Sequence, residues 1–84
     1  MSLTPINVRS VDPLLQTAAE GLVRGMIAEE ILPIFKAAKT ELELRRLLKA
    51  HAEVLLNRHG MQLAGPMRTS FLNKFATAAI AAHG

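Results

Sequence analysis

From Leu14 to Lys36 the apolar residues keep a helical spacing but change sides part-way along. Leu14, Leu15, Ala18, Ala19, Leu22 and Met26 form one stripe at i, i+3 and i+4 intervals, opposite Gln16, Thr17, Glu20 and Arg24. At about 100° per residue, Glu29 and Lys36 then fall on the side that Leu15 and Leu22 held. Ile27, Ile31 and Ile34 fall on the side that was polar. One straight helix cannot lay both stripes against the same core. Pro33 sits in the second half, where it removes a backbone hydrogen bond and crowds the carbonyl of Glu29. The expectation is a first helix kinked or broken near Pro33, somewhere between Gly25 and Pro33. The alternative is a nearly straight helix buried on opposite sides at its two ends, which requires a second chain.

The remaining segments also read as helix. Asp12-Pro13 is a start signal, because Asp12 can cap free N–H groups and Pro13 fits a first helical position that needs no donor. Before it, Pro5, Ile6 and Val8 disfavour helix, so residues 1–10 read as an irregular arm and residues 11–84 as one helical domain. Thr40-Glu41-Leu42-Glu43 matches a capping box. The helix that follows presents Leu44, Leu47, Leu48, His51, Val54 and Leu55 on one face, with Arg45, Arg46, Lys49 and Glu53 toward water. Leu42 and Leu56 fall toward that polar side. Arg58-His59-Gly60 supplies positive charge and a glycine for a left-handed closing residue. Gly65-Pro66 punctuates the chain, and Pro66 can open a last helix with the stripe Phe71, Leu72, Phe75, Ala78, Ala79 and Ala82. Its alanine-rich end suits close approach to another helix. No segment alternates apolar and polar residues with period two. The fold class expected is all-α, a compact antiparallel bundle of three to four helices joined by short connections.

Composition limits the function. A chain of 84 residues buries only about 60–65% of its unfolded surface. Hydrophobic residues make up 50% of it before its five glycines are counted, against roughly 45–50% in ordinary domains with glycine included. Apolar surface is therefore expected to stay exposed, and such patches mark partners. The expected interface comprises Ile27, Ile31, Ile34 and Phe35 on the swung face, with Leu42 and Leu56 off the main stripe. The first expectation is a non-enzymatic interaction module, a homodimer or a subunit of an assembly.

Charge suggests a second reading. The net charge is +3, and residues 54–84 carry Arg58, Arg68 and Lys74 with no acid. Residues 52–75 loosely resemble a helix-turn-helix, with a gap of about five to seven residues where three to four is usual. On that reading Arg58, His59, Arg68, Thr69, Asn73 and Lys74 would contact phosphates or base edges. Three cations are a small footprint beside the roughly 6–10 phosphate contacts of a strong binder.

Catalysis and metals find no support. Glu29 and Glu30 point about 100° apart, so they do not converge on one substrate. His51 and His59 diverge by about 80°, with no third ligand spaced to complete a zinc site. There is no cysteine, no nucleophile elbow and no glycine-rich phosphate loop. No enzyme, cofactor or metal is expected. His51, on an apolar face, is expected to be hydrogen-bonded at the core edge. The opening MSLTPINVRS lacks the pattern of a secretory leader, and no apolar run reaches the ~20 residues of a membrane span. The expected location is the cytoplasm.

Overall fold

The structure, a computed structural model, describes residues 8–26 and 28–83, with side chains from residue 13 onward. It contains four helices: α1 (Val8–Gly25), α2 (Ala28–Ala37), α3 (Glu41–Arg58) and α4 (Gly65–His83). No strand occurs among the described residues. The all-α bundle expected from the periodicity is the fold observed.

The long first helix is broken, and the break lies ahead of Pro33. α1 ends at Gly25, and the Met26 amide closes it with a tight bond to the Val23 carbonyl at 3.2 Å. α2 then begins at Ala28 and runs through Pro33. Pro33 falls past the first turn of α2, so it still removes the bond to the Glu29 carbonyl. Pro13 falls past a first turn too. α1 begins at Val8, so Pro13 lies inside it and does not open it, and residues 8–10 of the expected arm are helical. Asp12 is the fifth residue of α1 and so is not its N-cap, because the helix has already begun at Val8; residues 1–7 lie outside the described positions. Each proline is the sixth residue of its helix.

The ends of α3 follow its sequence closely. Thr40 is extended at φ −133° and ψ 162°, and its hydroxyl accepts from the Glu43 amide at 3.1 Å. At the other end Gly60 takes φ 67°. Its amide bonds to the Asn57 carbonyl at 3.2 Å, and the Met61 amide to the Leu56 carbonyl at 2.9 Å. This pair of bonds is a Schellman closure. It folds Met61 back onto the core and encloses Leu56.

α4 is the central element, packed against α1 on one side and α3 on another, while α2 packs on α3. α3 and α4 run antiparallel: Arg45 donates to the Thr77 hydroxyl at 2.9 Å near one end, and Arg68 pairs with Glu53 at 3.0 Å toward the other. α2 and α3 are antiparallel too, with Glu30 beside His51 and Arg58, and Ala37 beside Leu47. Phe71 and Phe75 fill the middle of the core, and Ala76 and Ala79, fully buried, let the flanking helices come close. Leu15, Ala19, Val23 and Met26 line α1's buried side. Burying a side chain such as Phe71 contributes about 1.5–3 kcal/mol.

Three faces differ from the sequence expectation; on α4, Ala82 of the expected stripe is exposed and Ala76, outside it, is fully buried. Leu14, assigned to the α1 stripe, is 70% exposed, and Val23 takes a core place instead. On α3 the buried residues are Leu48, Ala52, Leu55 and Leu56, so the core face is turned toward Leu56 and away from Val54, which is exposed. On α3 the reason is that it lies between α4 and α2: a helix flanked by two partners needs a core side for each, and a single stripe describes only one of them.

Candidate interaction surface

Because α3 spends one face on α4, its second apolar face meets only the short α2. Ile31 of α2 reaches the core, and Ile34 and Phe35 are partly buried against it. Beside them α2 and α3 border a groove of about 350 Å³, lined by Pro33, Ile34 and Ala37 from α2 and by Leu47, Ala50, His51 and Val54 from α3. Val54 is 50% exposed. No lining side chain carries a fixed charge, and His51 is the single polar one.

His51 is held in place. Its Nε2 lies 2.9 Å from Glu30 Oε2, and Arg58 Nη1 donates to the same oxygen at 3.4 Å. The imidazole and the carboxylate are both mostly buried, so this bond ties α2 to α3 beneath the groove. His51 is thus hydrogen-bonded at the core edge, as its place on an apolar face suggested. Glu30 was not foreseen as its partner. Glu29 stays exposed while Glu30 turns inward, which is the divergence expected of neighbours on a helix. Buried polar side-chain atoms without a partner are absent among the described residues.

The residues expected at an interface are scattered. Ile31 and Leu56 are fully buried in the core, so neither contributes to a surface. Ile31 is drawn in because the break after Gly25 reorients α2, and Leu56 because the Schellman turn folds over it. Ile34 forms one wall of the groove. Phe35 sits beside it, packed on the core and tilted against the His83 ring at 6.2 Å. Leu42 is 70% exposed but lies apart, in a shallow hollow with Arg45, Arg46 and Lys49. The side chain of Ile27 lies outside the described residues. The groove's other walls, Pro33, Ala37, Leu47, Ala50 and Val54, were not singled out as surface. Leu47 and Val54 lie a turn or two apart on one side of α3, and that second apolar side was the available signal.

The basic C-terminal third is acid-free in sequence and not in space. Arg58 pairs with Glu30 of α2, and Arg68 donates through Nε and Nη2 to Glu53 of α3 at 3.2 and 3.0 Å. His59 and Thr69 are exposed, and Asn73 and Lys74 are half-buried. The antiparallel packing of α3 on α4 also departs from a helix-turn-helix, whose helices cross at about 90–120°. The cluster of cations free of ion pairs among the described residues lies elsewhere, at Arg45, Arg46 and Lys49 on α3.

No trio of His, Asp or Glu side chains placed to hold a metal occurs among the described residues. No described helix is long and apolar enough to cross a membrane. The chain matches no protein-family model, no curated protein sequence and no solved structure.

Proposed function

We propose that this chain is a non-enzymatic interaction module that self-associates through the groove between α2 and α3. One observation carries the reading: a solvent-open apolar groove, with Val54 half exposed and no charged side chain in its lining. Apolar surface of this kind gains roughly 25 cal/mol for each Å² removed from water, set against the cost of association. A second copy suits it because an isologous contact brings each lining residue opposite the same surface. With no charge in the lining, that arrangement meets no like-charge repulsion. The apolar excess of the composition points the same way.

Light scattering on the purified chain at micromolar concentration tests the proposal. The expected result is a dimer or higher species, and Val54→Asp is expected to return it to the monomer while far-ultraviolet circular dichroism stays helical. A strict monomer at every concentration examined, or a Val54→Asp variant that associates as the parent does, overturns it.

A further inference from the structure

Pairing in space moves the protein's positive field. Arg58 and Arg68, which look like the heart of a basic region, are matched by Glu30 and Glu53. Arg45, Arg46 and Lys49 have no ion pair among the described residues, and they line one hollow of about 200 Å³ on α3 with Leu42 at its N-terminal end. Leu42 is as exposed as any large apolar side chain described here, at 70%. The guanidinium of Arg45 is anchored, because it donates to the Thr77 hydroxyl of α4 at 2.9 Å. Part of the cationic rim is therefore pre-positioned before any partner arrives.

We propose that this hollow is a second docking surface, and that its occupant is an acidic segment of another protein carrying an apolar anchor beside its carboxylates. An exposed leucine at the head of a row of cations has the elements of a small interface, an apolar anchor beside charge. Complementary charge on the rim steers the encounter and selects the partner.

Other occupants fit less well. A second copy on a two-fold axis would set these cations against their own images. A nucleic acid would leave Leu42 unused, and its continuous phosphates would run close to Glu41 and Glu43, the carboxylates in the first turn of the same helix. A membrane surface calls for a broad apolar face with several large side chains, and the hollow offers one leucine. A peptide can set its apolar anchor on Leu42 and place its few carboxylates over Arg45, Arg46 and Lys49, further along α3 than Glu41 and Glu43. The proposal does not depend on self-association, because none of these four residues lines the groove between α2 and α3.

Fluorescence anisotropy with the full chain tests it, using a fluorescein-labelled helical peptide that carries leucine and glutamate on one face. Parallel titrations use the same peptide with glutamine for glutamate, and a mixed-sequence DNA duplex. The glutamate peptide is expected to bind, more weakly as salt is raised, and the glutamine peptide to bind about tenfold worse or not at all. Leu42→Ser and the double variant Arg46→Glu, Lys49→Glu are each expected to weaken binding by about tenfold, with unchanged helical circular dichroism. Val54→Asp is expected to leave it unchanged. Three results would each overturn the proposal: equal binding of the two peptides, indifference to Leu42→Ser, or DNA binding at least as tight as that of the glutamate peptide. Loss of peptide binding in Val54→Asp would do the same, since it would move the site to the groove.

Discussion

Leu56 and Val54 stand two positions apart on α3, and the structure reverses the roles that a single apolar stripe gives them. Leu56 is fully enclosed by α4 and by the turn at Gly60, whereas Val54 looks into the open groove. Their alanine variants therefore separate. Leu56→Ala removes buried methyl groups from a packed site and is expected to cost about 2–5 kcal/mol of stability. Val54→Ala, measured at a dilution where the chain is monomeric, is expected to stay within about 0.5 kcal/mol of the parent. Urea titrations followed by circular dichroism decide it, and equal losses would mean that α3 is rotated from the position described. Glu30 teaches the same lesson for polar groups. In sequence it is one of two adjacent glutamates. In space it accepts from Arg58 and is bonded to His51, which lies 21 positions away. No local pattern encodes a bond of that range.

At the scale of elements, the signals that involve backbone groups alone were legible. Thr40 caps α3 because its hydroxyl satisfies an amide that the helix leaves free, and Gly60 ends it because a left-handed residue there strains any side chain. The prolines were less legible. Their cost is one missing hydrogen bond and a local crowding, and packing of the whole helix against a neighbour can outweigh that, so α1 starts ahead of Pro13 and α2 runs through Pro33. The glycines give a paired test. A Cβ at Gly21 or at Gly60 would meet no atom within 4 Å, so the two sites differ in backbone conformation and not in space. Gly21→Ala, in the middle of α1, is expected to stabilise the fold by about 0.5–1 kcal/mol through helix propensity. Gly60→Ala is expected to destabilise it by about 1–2 kcal/mol, because it forces a side chain into a left-handed turn. Opposite signs in thermal melts are the outcome to look for.

For the molecule as a whole, the sequence foretold that apolar side chains would remain outside, and Leu14, Leu32, Leu42 and Val54 do. Of these it named only Leu42 as surface; the place of Val54 depends on how α2 and α4 divide the surface of α3. The groove, uncharged in its lining, and the hollow that Leu42 shares with three cations should answer differently to salt. Association driven by apolar burial is little screened and is strengthened by excluded salts such as sulfate, whereas attraction between surface charges fades beyond a Debye length of about 10 Å at 0.1 M. Self-association also binds the folded chain and not the unfolded one, so it stabilises by mass action. The melting temperature of the parent chain is therefore expected to rise with protein concentration, and to rise further in sodium sulfate. Val54→Asp places a carboxylate in the groove, which must then be desolvated in any dimer, so its melting temperature is expected not to vary with concentration. A parent chain whose melting temperature is flat across the accessible range would show that the groove holds no second copy under those conditions, and the exposed valine would then be a local feature of the monomer.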